Sequence, residues 1–260
     1  MSDTILAGPL LDGRRVVVTG GSRGLGAAIG QAVVAAGARV VVLDLPASLQ
    51  APGGWTGSGA FSCDVADERS VDIALQQAAA LLGGLDGVVA NAGLVPPWRE
   101  TEGLDLDEWD RVFAVNVRGI AATLKHATPH LKRAGGGSVV LMASINGVVS
   151  HPRQMLYTAT KHAVVGILKA AALDLGPHGI RVNALAPGPI ATDALLSRID
   201  LRAEAGGPAR EEALAALAGQ TPLGRIALAE EVAKAAVFLA SGLASGITGR
   251  VLPVDAGLIP

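Results

Sequence analysis

The chain has 260 residues, about half of them apolar, a formal charge of −2 and one cysteine, Cys63. That is enough apolar material for one substantial core, and it fits a single α/β domain better than two small ones. With no run of five basic residues, electrostatics gives no reason to expect nucleic acid or an anionic membrane as a partner, and a lone thiol cannot close an internal disulfide.

The N-terminal stretch MSDTILAGPLLDGRR has an early aspartate and no long apolar centre, so it does not read as a signal peptide. No apolar run reaches 18 residues without a charge or a glycine, and no membrane span is expected. A cytoplasmic location is the expectation.

In chain order, the first strand is RVVVTG (15–20), followed by a helix over 24–36. RVVVLDL (39–45) is the second strand, and the Gly/Pro-rich APGGWTGSG (51–59) is a surface loop before the third, AFSCDV (60–65). A helix over 68–82 leads to LDGVVAN (85–91), and one over 107–132 leads to GSVVLMAS (137–144). A helix over 155–176 precedes IRVNALAP (180–187). A helix over 229–241 precedes the last strand, GRVLPVD (249–255). Several strands are continuous apolar runs, as strands covered on both faces are. Alternating strands and helices imply an α/β, doubly wound parallel sheet of about seven strands with helices on both faces, one domain over 1–260. The stretch 188–228, punctuated by Pro189, Gly206, Gly207, Pro208, Gly219 and Pro222 around a short Ala/Leu helix, is a long excursion beyond a strand's C-terminal end. It is a candidate lid over a ligand.

Two regions carry chemistry. TGGSRGLG (19–26) is a glycine-rich turn between the first strand and a helix, with Gly20, Gly24 and Gly26 as its glycines. Such a turn lets a pyrophosphate approach the backbone at a helix N-terminus. Asp44 follows about 20 residues later at a strand end, where a carboxylate accepts from an adenosine ribose. A carboxylate about 4 Å from a 2′-phosphate is opposed by roughly 1–4 kcal/mol per charge pair, which favours NAD over NADP. Arg23 in the turn pulls the other way, since it could meet a 2′-phosphate. The second region is YTATK (157–161). Tyr157, the only tyrosine, and Lys161 lie at i and i+4, on one helix face. An ammonium beside a phenol favours the phenolate and is expected to lower a pKa that is ordinarily near 10. Ser144 ends the fifth strand, where open parallel sheets bind ligands, and Asn116 is an amide within an apolar helical stretch.

With these residues in this order, the chain resembles the short-chain dehydrogenase/reductase family over nearly its whole length. The matching segments are TGGSRGLG, Asp44, Asp64–Val65, Asn91–Ala92–Gly93, Asn116, Ser144, YTATK and PGPIAT (187–192). Ala90 stands where the family often has asparagine. The resemblance implies a Rossmann fold and a dinucleotide bound by Gly20, Ser22, Arg23, Gly24, Leu25 and Gly26, with Asp44 and Leu45 after the second strand. It places Asp64 and Val65 at the adenine and Asn91 beside the adenosine ribose, with Ala92 and Gly93 also binding the cofactor. Pro187, Gly188, Ile190 and Thr192 then lie along the nicotinamide, and Tyr157 and Lys161 also hold the cofactor. It implies Asn116, Ser144, Tyr157 and Lys161 as the catalytic set, with Asn116 holding a water that links Lys161 to solvent.

The resulting expectation is an NAD-dependent interconversion of a secondary alcohol and a ketone. The alternatives are an NADPH-dependent 3-oxoacyl (acyl carrier protein) reductase and a non-catalytic dinucleotide-binding regulator. No cationic cluster stands ready for a phosphate or coenzyme A, so a neutral, fairly apolar small alcohol is the expected substrate. His126 and His130 lack a third ligand, so no metal is expected. His151, Trp98 and Trp109 are read as loop and packing residues. The helix at 155–176 is apolar nearly all round, which predicts cover by a second subunit, and the resemblance implies a homotetramer.

Overall fold

The computed structural model describes residues 9–50, 55, 57–204 and 206–259. Seven parallel strands form one sheet in the order β3-β2-β1-β4-β5-β6-β7. They are β1 Arg15–Thr19, β2 Arg39–Asp44, β3 Gly59–Ser62, β4 Gly87–Ala90, β5 Gly137–Met142, β6 Ile180–Pro187 and β7 Val251–Val254. Nine α-helices occur among the described residues: α1 Gly24–Ala35, α2 Pro46–Leu49, α3 Glu68–Leu82, α4 Leu106–Phe113, α5 Gly119–Arg133, α6 Met155–Leu175, α7 Asp193–Glu204, α8 Arg210–Gly219 and α9 Ala229–Ala240.

The strand period of two explains why the valine runs are continuous. Val17 joins Val41, Val88 and Val139 in a core with Leu75 of α3, Leu131 of α5 and Leu168 of α6. Its neighbours Val16 and Val18 join Val40, Val42, Val89 and Val140 on the other face, against Ile29 and Val33 of α1 and Val232 and Val237 of α9. Each valine moved from water into such a layer contributes about 1.5–3 kcal/mol. A polar residue at any of them would meet a helix, so the run must stay apolar.

Strand order reverses direction between β1 and β4, whose last residues, Thr19 and Ala90, are paired. The crevice beyond their C-terminal ends is where open α/β sheets take ligands. The expected strands and helices match closely, with three differences. The stretch expected as one helix over 107–132 is broken by a π-helical turn, Ala114–Arg118, between α4 and α5. The excursion at 188–228 holds two helices, α7 and α8. Leu195 and Ile199, one turn apart, give α7 a narrow buried edge, while Leu196 and Leu201 fall off that edge among charged residues and blur the pattern. The ends of the excursion meet in a parallel bridge between Ile190 and Ala227. Thirdly, most of the loop expected at 51–59 lies outside the described residues. No helix among the described residues is long and apolar enough to cross a membrane.

Candidate active site

The first wall of the crevice is the turn after β1. Thr19 Oγ1 accepts from the backbone N–H groups of Asn91 (3.1 Å) and Ala92 (3.2 Å). The Asn91 side-chain amide donates back to the carbonyls of Thr19 (3.1 Å) and Gly20 (2.9 Å). The turn and the end of β4 are thereby stitched together, which spends the amide donor of Asn91 on the scaffold. A Cβ at Gly26 would sit 1.9 Å from the Gly20 carbonyl oxygen, so only glycine lets α1 start this close to β1. Gly24 has φ +53°, and a Cβ there would meet nothing within 4 Å. Neither a side-chain cap nor an acidic residue occupies the first turn of α1. Its N–H groups are left facing an open space of the kind an anion fills. Ser22, Arg23 and Leu25 complete the rim, with Arg23 exposed.

Asp44 ends β2 with both carboxylate oxygens oriented. One accepts from the backbone N–H (3.0 Å) and hydroxyl (2.5 Å) of Ser22, the other from the N–H of Leu45 (2.8 Å). Beyond β3, Asp64 is exposed and accepts from Ala66 N–H (2.9 Å), while Val65 is buried against Gly119. On the far side, Gly188 lies so close to Asp255 that a Cβ would be 2.8 Å from its side chain. Pro187 and Ile190 are buried, and the Thr192 carbonyl accepts from Leu195 (2.9 Å) and Leu196 (3.0 Å), starting α7. Gly93, exposed after β4, has Asn116 Oδ1 3.3 Å from where its Cβ would be.

The candidate reacting groups gather at the end of β5 and the start of α6. Ser144, just past β5, accepts from Asn146 N–H (3.2 Å) and caps a short 3-10 turn, Ile145–Gly147. Tyr157 and Lys161 sit one turn apart on α6. The Lys161 Nζ donates to the Met142 carbonyl (2.8 Å) and lies 5.5 Å from the centre of the Tyr157 ring. Lys161 is 4% exposed, and burial lowers its pKa to about 8. Here the expected electrostatics needs correction. Burial pushes the Tyr157 phenol up from its ordinary value; the Ser144 hydroxyl and the charge of Arg198 pull it back down. The Lys161 ammonium, which was expected to lower this phenol's pKa, stands 5.5 Å from the ring centre and is bonded to β5.

Asn116 is held by direct hydrogen bonds. Fully buried in the π-helical turn, it accepts from Leu94 N–H (2.7 Å) and donates to the Leu94 carbonyl (2.9 Å) and to Thr160 Oγ1 (3.3 Å). Its side chain therefore clamps the loop after β4 to α6, one residue before Lys161. A π-turn is a common device for aiming a side chain at a functional site.

The sequence reading missed Arg198. On α7, its guanidinium lies over the face of Trp98, 5.2 Å from the ring centre, with Arg202 5.5 Å from the same ring. The i, i+4 arginines on α7 were a visible signal, but their aromatic partner is about a hundred residues away. The indole N–H of Trp98 and Nε2 of His151 are buried without hydrogen-bond partners.

A family model described as enoyl-(acyl carrier protein) reductase, one of the short-chain dehydrogenase models, matches residues 20–259. The chain belongs to the short-chain dehydrogenase/reductase family. It is thus an enzyme of the dehydrogenase/reductase class acting on CH–OH groups. Among family members it is 38% identical over 254 residues to cis-4-hydroxycyclohexanecarboxylate dehydrogenase of Sinomonas cyclohexanicum, covering 94% of this chain and 96% of the relative. It is 38% identical over 253 residues to D-threitol dehydrogenase of Mycolicibacterium smegmatis, covering 95% and 93%. The crystal structure of a short-chain dehydrogenase-like 3-ketoacyl-(acyl-carrier-protein) reductase from Brucella melitensis, complexed with NADH, superposes with a TM-score of 0.83 at 31% identity. It covers 95% of this chain and 99% of that one.

Proposed function

We propose that the protein is an NAD-dependent oxidoreductase that interconverts a secondary alcohol and its ketone, with Tyr157 as the group that moves the hydroxyl proton. The observation that carries this is the convergence of Ser144, Tyr157 and Lys161 at the C-terminal end of β5, with the Ser144 hydroxyl in hydrogen-bond reach of the phenol and the ammonium 5.5 Å from its ring. Relatives named for a hydroxycyclohexane carboxylate and for threitol agree with an alcohol substrate. So does the room a Cβ at Gly24 would have, with the uncapped start of α1. When bound, the nicotinamide dinucleotide supplies the hydride acceptor or donor.

In the oxidation direction, the Tyr157 phenolate takes the proton of the substrate hydroxyl. In reduction the phenol returns it to the carbonyl oxygen. Ser144 donates a hydrogen bond to that oxygen as its charge changes, and holds it beside Tyr157. Lys161 keeps a positive charge at the floor of the site. Asn116 positions the loop after β4 against α6, and so fixes where Tyr157 stands. Asp44, held by Ser22 and Leu45, offers acceptors to an adenosine ribose and repels a 2′-phosphate, which favours NAD. The segment 188–228, with α7 and α8, serves as the lid, and the working unit is a homotetramer.

The test is a set of secondary alcohols and diols assayed with NAD and NADP by absorbance of the reduced cofactor. Turnover with NAD should exceed that with NADP. Tyr157→Phe should lower kcat by roughly 10²–10⁴-fold while the protein still binds NADH by fluorescence. Preference for NADP would overturn the reading of Asp44, and full activity of Tyr157→Phe would overturn the proton-transfer role.

A further inference from the structure

We propose that Arg198 receives a carboxylate carried by the substrate, so that the preferred substrates are secondary alcohols bearing an acid group and not neutral ones. This deepens the alcohol–ketone reading above and rests on it for the identity of the reacting carbon.

Among the described residues, Arg15, Arg99, Arg111, Arg118, Arg153, Arg210 and Arg225 each have a carboxylate within ion-pair reach. Arg198 is one of nine arginines, of the sixteen in the chain, with no carboxylate in ion-pair reach among the described residues. It differs from the other eight in lying over Trp98 with its field at the Tyr157 hydroxyl while burial lowers its pKa. Its one hydrogen bond runs from Nε to the Ala194 carbonyl of its own helix (3.3 Å), which leaves both terminal nitrogens of the fork unassigned. The Trp98 face holds the guanidinium plane from one side. It is half-buried, that burial lowers its pKa, and its field is felt at the Tyr157 hydroxyl.

A desolvated cation without a counter-ion is unfavourable unless an anion completes it. Tyr157 is not a standing counter-ion: burial pushes its phenol up from the ordinary value, so its phenolate serves the proton transfer and not a permanent pair with Arg198. The group that enters this space during the reaction is the substrate. An arginine fork with its stem fixed matches a planar two-oxygen acceptor, which is a carboxylate, and meets it with two parallel hydrogen bonds. Arg202 is exposed on the outer part of the Trp98 indole and draws anions toward it. This replaces the expectation of a neutral alcohol, which rested on seeing no cluster of basic residues in the sequence. One withdrawn, unpaired guanidinium is enough.

The test compares 3- and 4-hydroxycyclohexanecarboxylates with their methyl esters as substrates of the full-length enzyme, wild type and Arg198→Met and Arg198→Lys. A charged hydrogen-bonded pair should give the acids roughly tenfold or greater kcat/KM over the esters. Arg198→Met should collapse that ratio toward one or below, and Arg198→Lys should fall between. Equal losses on acid and ester, or an unchanged ratio, would overturn the proposal and make Arg198 an aid to the phenolate alone. A second readout needs no turnover: cyclohexanecarboxylate should raise the melting temperature of the wild type more than cyclohexanecarboxamide does. That difference should vanish in Arg198→Met, and its survival would overturn the proposal. If neither acid nor ester is oxidised, the alcohol–ketone reading fails, and the melting shift alone decides for or against Arg198.

Discussion

Lys161 sits where function and stability conflict. Its ammonium is 4% exposed, with one hydrogen bond to the Met142 carbonyl, and its pKa falls from 10.5 to about 8. A folded-state value below the unfolded one means that the unfolded chain binds more protons between about pH 8 and 10.5. Stability therefore rises with pH across that window, and the penalty is fully present below it. A shift of this size corresponds to about 3 kcal/mol as an order of magnitude. Lys161→Met should accordingly be more stable than the wild type at pH 7, by at most that amount, while losing most of its activity. Urea unfolding at pH 7 and pH 9.5 should show the gap narrowing as pH rises; a gap independent of pH would contradict this account. At this scale the sequence was legible where neighbours are close in the chain. Tyr157 and Lys161 share a helix face by spacing alone, and the Ser22–Asp44 contact follows from two adjacent strand ends. Arg198 over Trp98, or Asn116 clamping Leu94, required the three-dimensional path of loops whose course no local periodicity encodes.

The turn before α1 shows how an element depends on a single missing atom. Gly26→Ala drives a methyl group into the Gly20 carbonyl and the Asn91 amide, both parts of the stitch between β1 and β4. Overpacking of this kind costs about 1–3 kcal/mol and moves the backbone. At Gly24 the same substitution meets open space, and only the left-handed backbone opposes it, at about 1–2 kcal/mol. Thermal denaturation should therefore rank Gly26→Ala below Gly24→Ala, and NADH titration should show Gly26→Ala losing affinity even where it remains folded. The opposite ranking would mean that the turn relaxes more easily than its contacts suggest. The strands were readable because covering both faces demands uninterrupted valine. The π-turn was not, because its cause is the partners of Asn116 and not the composition of FAVNVRG. The helices α7 and α8 were obscured because a partly exposed helix needs only a thin apolar edge.

For the whole molecule, the sheet's faces are closed by α1 and α9 on one side and α3, α5 and α6 on the other, yet α6 still presents apolar surface. Leu173 is 78% exposed and Met155 45%. A helix with apolar residues on both its inner and outer sides predicts burial against another copy. Size-exclusion chromatography with light scattering should give about four times the 26.1 kDa chain mass. A Leu173→Glu variant should shift that mass downward, and a monomeric wild type would contradict the tetramer. The fold as a whole was legible because the strand and helix order allows few right-handed topologies. The assembly rests on one helix face and on resemblance alone. Finally, Ile190 and Ala227 pair across the base of the α7–α8 excursion. A segment whose two ends already touch behaves as a plug in a socket. Loops of other lengths can be grafted there at little entropic penalty, since closure grows only slowly with length. Ser144, Tyr157 and Lys161 would stay with β5 and α6 in such a graft, while Arg198, and the choice of alcohol proposed for it, would travel with the exchanged segment.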